Sequence, residues 1–307
     1  MSRPPKTTWV RLKNHLQIGH GSGHGQGYRS LWELKRWNAS PMSVQVLKPV
    51  PPFARSCHFF SRSEWLLAIV FSWLGAHVRE QYPLWPWSHP HPLYGLNADR
   101  DAALPWSPGM MEICTKLGID HGVFVGTRIP YIWTIDLALT IPWVGEESPG
   151  CCLVSVKPLE SERYLYIDPL DRGPEKLEGE RQYAQSLNIP YFVGDRSLFP
   201  GDLLGQLEWL ADAAVIPVGH PWQDRVQRFL DRCGAELGNY PLVESSSRLQ
   251  KDFGATRREA DYLIQHCLWH QFIDCDLSRY IDMAACPKPG GRRLKVAMRE
   301  LLVGGKA

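Results

Sequence analysis

Two charged residues interrupt runs that otherwise read as buried strands. Asp136 lies inside IPYIWTIDLALTIPWV, 129–144. An ionised carboxylate in such a run is costly unless a cation or hydrogen-bond donors compensate it. Lys157 lies inside the next run, CCLVSVKPL, 151–159. Gly145 to Gly150 (GEESPG) supplies turn residues between them, which predicts an antiparallel hairpin. The midpoint of Asp136 and Lys157 falls at Glu146/Glu147, inside that turn, so the hairpin is expected to set the two nearly opposite each other. Ser155, two residues before Lys157, shares its face. A buried Asp–Lys pair can be purely structural, but such pairs are weak evidence for stability and gather at functional sites.

Glu64 is a third candidate. It opens the apolar run SEWLLAIVFSWLGAHV, which predicts a helix from Ser61 buried on most faces. Ser61-x-x-Glu64 is also a capping box, so Glu64 has a structural reading beside the chemical one. Carboxylates on separate elements can converge on a hard cation such as Mg²⁺, which takes oxygen ligands. Such an ion stabilises charge on a scissile phosphate and generates a hydroxide, while a lysine orients the water or offsets transition-state charge. The chemistry that suits these residues is metal-assisted phosphodiester hydrolysis.

The elements that must position them follow a mixed order. After the Ser61 helix, VREQYPL (78–84) reads as a strand. Residues 85–110, rich in Pro, Trp and His, read as a long loop of the kind that serves function or partners. The hairpin comes next. PEKLEGERQYAQSLNI then reads as a helix with Leu177, Ala184 and Leu187 on one face. Pro190 to Val193 reads as a short strand, completing a mixed α/β domain. From Arg196–Gly201 onward helices prevail. Ala260, Leu263, Ile264, Cys267 and Leu268 mark an amphipathic helix, preceded by a shorter one at 242–253. FIDCDLSRYI (272–281) is expected to form a small strand pair, giving a helix-turn-helix with a wing.

Charge is uneven. The chain of 307 residues has a net charge of +2, yet residues 1–60 carry nine Lys/Arg against Glu33 alone, a net +8. The tail from Pro287 is +5. A basic arm on a near-neutral body suits a polyanion, and nucleic acid is the first candidate; a solvated tail is the plainer alternative. The eight cysteines form no CxxC pair, and most sit in apolar runs and read as small core residues, as Cys151 and Cys152 do. No signal-peptide layout opens the chain, and the apolar stretch from Trp65 to Val78 is too short to span a bilayer, so the expected place is the cytoplasm. Glycine alternates at 19, 21, 23, 25 and 27, with no strand leading in; this reads as a flexible or closely docked segment rather than a dinucleotide loop. His20 and His24 there, and His266, Cys267, His270, Cys275 and Cys286 near the C-terminus, have ligand chemistry but no common zinc spacing.

The chain resembles TnsA, the endonuclease subunit of heteromeric bacterial transposases. The segments that carry the resemblance run in order: GHGSGHGQGY (19–28), SRSEWLLAIV (61–70), VREQYPL (78–84), WTIDLAL (133–139), VSVKP (154–158), EKLEGERQYAQSLNIPYF (175–192) and LEWL (207–210). The resemblance implies a restriction-endonuclease-like domain over 1–198 and a winged-helix-like domain over 199–307. It implies Glu64, Asp136 and Lys157 as catalytic residues. Glu64 and Asp136 would ligate Mg²⁺ (with Mn²⁺ able to substitute), aided by Ser155 and the Val156 carbonyl. The family has an acid or amide where Ser155 stands. Gln81 falls on a family motif without a chemical role of its own. The implied activity is cutting of the 5′, non-transferred strands at transposon ends, beside a TnsB-like transposase and a TnsC-like ATPase at the nucleoid, with no membrane. Two alternatives stay open: a nuclease-fold scaffold made inactive by Ser155, and a stand-alone restriction or repair nuclease.

Overall fold

The computed structural model describes residues 7–35, 44–142, 150–157, 172–219, 222–223, 226–233 and 236–303. Parts of the basic arm, residues 143–149 where the hairpin turn is expected, residues 158–171 and the last residues, 304–307, lie outside them. In chain order the elements are α1 (Trp9–Gln17), β1 (Val46–Pro49), β2 (Ser56–Phe59), α2 (Arg62–Trp73), β3 (His77–Leu84), α3 (Ala98–Asp101), α4 (Met110–Leu117), β4 (Trp133–Ile141), β5 (Gly150–Val156), α5 (Gly173–Ser186) and β6 (Tyr191–Gly194). Helices follow: α6 (Gly201–Leu210), α7 (Val226–Cys233), α8 (Leu242–Phe253), α9 (Arg257–Trp269) and α10 (Gly291–Val303). The class is α/β, as the alternation of periods predicts.

Four strands form a mixed sheet in the order β3-β4-β5-β6. β3, β4 and β5 are mutually antiparallel, and β6 runs parallel to β5. That parallel step needs a crossover, which α5 provides. β1 and β2 form a separate antiparallel ribbon. A bidentate pair anchors it to β3: Arg55 Nη1 and Nη2 donate to Glu80 Oε1 and Oε2 at 2.9 and 2.7 Å. Glu80 is fully buried, and this fork compensates its charge.

α2 packs against one face of the sheet. Every residue from Glu64 to Trp73 is buried, because the helix lies between the sheet (Leu137, Leu139, Cys152, Val154) and the C-terminal helices (Leu207, Leu263, Ile264) in one apolar core. α5 covers the other face through Tyr183, Ala184 and Leu187, against Ile135, Ala138 and Leu153. Gly179 permits its close approach. A Cβ there would stand 2.8 Å from the Trp133 ring, closer than packed atoms tolerate.

The core changes faces along β3 and β4. Val78, Leu137 and Leu139 pack on the α2 side, whereas Tyr82, Leu84, Trp133 and Ile135 pack on the α5 side. Strict alternation would keep Trp133, Ile135, Leu137 and Leu139 together. The switch falls at Gln81 and Asp136, where the ladder skips from Glu80↔Leu137 to Tyr82↔Ile135. Gln81 has φ +47, a left-handed conformation that an L residue adopts at a cost.

The Gly/His segment is docked, not loose. Gly21 N–H donates to Arg29 O at 2.7 Å. Gly21 has φ +76 and a Cβ on it would meet Pro83 at 2.9 Å, so glycine lets the arm lie on the end of β3.

The expected wing is absent. No strand pair follows α9 among the described residues. Ile273, Cys275 and Leu277 alternate into the core as a strand would. The backbone of the segment is met by side chains instead: Gln206 Nε2 donates to Leu277 O and Arg279 O, Arg292 to Gln271 O and Phe272 O, and Gln271 Oε1 accepts from Cys275 N–H. With those groups satisfied, no partner strand is required. The apolar core also runs unbroken across 198/199, since α2 packs on α6 and α9, and Trp73 Nε1 donates to Trp269 O at 2.9 Å. No helix of the described residues is long and apolar enough to cross a membrane.

Candidate functional site

Asp136 sits where β4 parts from β5. Their ladder runs from Ile141↔Gly150 to Leu137↔Val154 and stops there. Continuing it would set Asp136 across from Ser155, not across from Lys157 as the hairpin midpoint predicts. The expected pairing is two residues out. A two-residue slip keeps every side chain on its face, so the apolar pattern alone does not exclude it. β5 continues beside β6, with Lys157 N–H donating to Gly194 O at 3.0 Å. The Asp136 carboxylate fills the opened gap. Its Oδ2 accepts from Val156 N–H at 2.7 Å and from Lys157 Nζ at 2.9 Å. Lys157 Nζ also donates to Val156 O at 3.2 Å. Burial opposes the Lys157 charge, but Asp136, with Glu180 and Glu64 beyond it, raises its pKa; it is a fixed ammonium.

Glu64 caps its helix and also bonds into the sheet. Ser61 Oγ accepts from Glu64 N–H at 3.1 Å, and the Ser61 hydroxyl donates to Glu64 Oε1 at 2.9 Å. Phe60 N–H donates to Glu64 Oε2 at 3.0 Å. The carboxylate therefore reaches back over the helix start, as a capping acid does. Its remaining bond leads into the sheet: Gln81 Nε2 donates to Glu64 Oε2 at 3.3 Å, and Gln81 Oε1 accepts from Thr134 Oγ1 at 3.2 Å. This gives Gln81 the role that the sequence left open. Burial and the nearby Asp136 carboxylate push the Glu64 pKa up to about 7. Burial is the larger cause, and the Asp136 carboxylate adds to it.

Ser155 points the other way. It is buried, and its hydroxyl donates to Glu180 Oε2 on α5. Tyr191 OH donates to the same oxygen at 3.0 Å, and Lys176 Nζ lies 3.6 Å from Glu180 Oε1. Burial raises the Glu180 pKa, Asp136 adds to that rise, and Lys176, Ser155 and Lys157 oppose it. Sequence reading missed Glu180. The signal was present: Glu180 falls between Leu177 and Ala184 on the apolar stripe, where a surface helix has no use for an acid.

Three carboxylates thus surround the parted strands: Glu64 from α2, Asp136 from β4 and Glu180 from α5. The face switch at Gln81 and Asp136 explains how helices on opposite sides of one sheet can both address this point. Among the described residues, no three His, Cys, Asp or Glu side chains are grouped closely enough to hold an ion. By donor chemistry the residues fit a hard cation. Every candidate donor is oxygen, including the Ser155 hydroxyl and the Val156 carbonyl.

The rival metal candidates likewise form no group of three possible ligands among the described residues. His20 Nδ1 lies 2.7 Å from Ser30 O, and His24 Nε2 lies 2.8 Å from Tyr94 O. His266 and His270 hydrogen-bond to the carbonyls of Ala213 and Ala214, and Cys267 and Cys275 are buried in the core. No family model matches the chain, and no curated protein matches it either.

Proposed function

We propose that this chain is a metal-dependent DNA endonuclease that cuts the 5′ strands at transposon ends as one subunit of a heteromeric transposase. The observation that carries the reading is the Asp136 carboxylate held on Lys157 Nζ at 2.9 Å where β4 and β5 part, with Glu64 and Glu180 near enough to feel its charge though not grouped with it as a set of three. The ordered motif segments that resemble TnsA support the substrate and the partners: transposon-end DNA, a TnsB-like transposase and a TnsC-like ATPase. In this reading Glu64 and Asp136 hold Mg²⁺ or Mn²⁺, with Glu180 the third carboxylate. Such a cation supplies charge neutralisation at the phosphate and a water of lowered pKa. Lys157 keeps its proton and faces the anionic phosphate beside Asp136. Gln81 orients Glu64, and Ser155 with Tyr191 orients Glu180. The restriction-endonuclease-like fold, the division near 198/199 and the contact of the C-terminal helices with the ATPase belong to the same proposal. The basic arm and tail add salt-sensitive phosphate contacts.

The test is cleavage of labelled transposon-end DNA by the full chain with its partner transposase and Mg²⁺ or Mn²⁺. The reading requires that Asp136→Ala and Lys157→Ala abolish 5′-strand nicking, and variants that cut like the wild type would sink it. One observation favours a second reading, a non-catalytic scaffold. Ser155 stands where an acid would ligate, and its hydroxyl is committed to Glu180. That reading wins if the wild type never cuts while its partners need it to assemble. Cutting without partners would favour a stand-alone nuclease.

A further inference from the structure

Beside the carboxylate cluster lies a cavity of about 550 Å³. Phe60 and Gln81, both hydrogen-bonded to Glu64, line it, so Glu64 lies one residue behind its wall. Its most distinctive lining is aromatic. His15, Trp32 and Tyr131 form a row of nearly parallel rings. The His15 and Trp32 centroids are 5.9 Å apart with planes 18° apart, and the Trp32 and Tyr131 centroids are 6.4 Å apart with planes 19° apart.

The row is built rather than incidental. Phe124 braces it edge-on, at 79° to Trp32 and 61° to Tyr131. His15 Nε2 is pinned at 2.7 Å to Leu31 O, and its ring stacks on His20 at 3.7 Å. Leu12, Leu31, Ile129 and Ile132 form the small apolar core beneath. Tyr131 nonetheless remains 41 % exposed. Arg11 and Lys35 bring two cations to the same cavity. Its acid, Glu33, lies 3.8 Å from His20 Nε2.

We infer that this cavity is a stacking cleft for an unpaired nucleobase of the DNA strand to be cut. Planar π faces accept any base, and neighbouring cations hold the phosphates that flank it. Paired bases are closed to such rings, so the cleft selects DNA whose end is frayed or splayed. Gln81, on the cleft wall, links a base seated against Tyr131 to Glu64 through its side-chain hydrogen bond. The inference rests on the nuclease reading for its substrate, but it is tested by binding alone.

The experiment measures fluorescence anisotropy of the full chain with two labelled transposon-end duplexes, one fully paired and one with three terminal mismatches. Ca²⁺ replaces Mg²⁺, and 2-aminopurine in the mismatched strand reports stacking by quenching. The wild type should bind the frayed duplex about tenfold more tightly than the paired one and quench the probe. Tyr131→Ala should lose that preference and the quenching while binding the paired duplex unchanged, and Tyr131→Phe should keep both. Trp32→Ala removes packing as well, so Tyr131, half exposed, is the cleaner variant. Equal affinity for the two duplexes in the wild type, or a Tyr131→Ala protein that still discriminates and quenches, overturns the cleft. A protein that never cuts DNA yet discriminates frayed ends supports the cleft and sinks the nuclease reading.

Discussion

The Ser155 hydroxyl donates to Glu180 Oε2, so the position that lacks an acid is hydrogen-bonded to a buried acid from the neighbouring helix. The negative charge that a carboxylate at 155 would supply is present one side chain further out. Ser155 and Tyr191 hold Glu180 in place.

Glu180→Gln is therefore expected to fold normally, since its amide oxygen still accepts from Ser155 and Tyr191. Cleavage should fall about 10–100-fold, the range for residues that orient or complete a metal site. Nicking assays with a thermal melt on the same preparation check both halves. Unchanged nicking would remove Glu180 from the site.

Asp136 has two roles that separate by substitution. Asp136→Asn keeps an acceptor for Val156 N–H and should cost little stability while abolishing nicking. Asp136→Ala strands both Val156 N–H and Lys157, and should destabilise the fold by about 1–3 kcal/mol. Urea unfolding of the two variants distinguishes them.

Gln81 carries left-handed backbone and a side-chain bridge at once. Gln81→Gly removes the strain and the bridge together, so stability should change by less than about 1 kcal/mol while nicking drops. Gln81→Val keeps the strain, adds β-branching, and should destabilise by about 1–3 kcal/mol. A valine variant as stable as the glycine variant would contradict the strained backbone.

His89 gives a pH signature away from the site. It is buried against Tyr183, with Nε2 2.9 Å from the Tyr183 hydroxyl, and burial lowers its pKa to about 4. The unfolded chain binds the proton near pH 6.5 and the folded chain does not until about pH 4. Stability is therefore full above pH 6.5 and falls as pH drops through that window. The loss from this group reaches about 3 kcal/mol at the acid end. His89→Gln should make the fall of melting temperature between pH 6.5 and 4 shallower without removing it, because burial lowers His270 to about 4 as well.

Gly179→Ala places a methyl 2.8 Å from the Trp133 ring. The helix must lift or the ring must turn, at a cost of about 1–3 kcal/mol. Because Glu180 is the next residue, nicking should suffer beyond what the melt alone explains.

Much of this was legible in the residues. Ser61 and Glu64 announced the start of α2, and β3, β4, β5 and β6 follow their apolar runs to within a few residues. The register of β4 on β5 was not legible, because alternation is indifferent to a two-residue slip and the turn offered no fixed length. Glu180 was hidden by the amphipathic reading of α5, which counted apolar residues and passed over the acid between them. The wing at 272–281 failed for a different reason. Its alternation was real, but Gln206 and Arg292 took the hydrogen bonds that a partner strand would have made.

Trp73 is the last residue of α2 and Glu64 lies in its first turn. Nine residues of helix separate them, about 13 Å of stiff rod. The Trp73 end is tied to α9 through Trp269 O, and Lys295 of α10 lies over the Trp73 ring at 5.2 Å. α2 is thus a lever with its handle among the C-terminal helices and its tip at the carboxylates. A shift of α9 or α10 would be carried along α2 to Glu64.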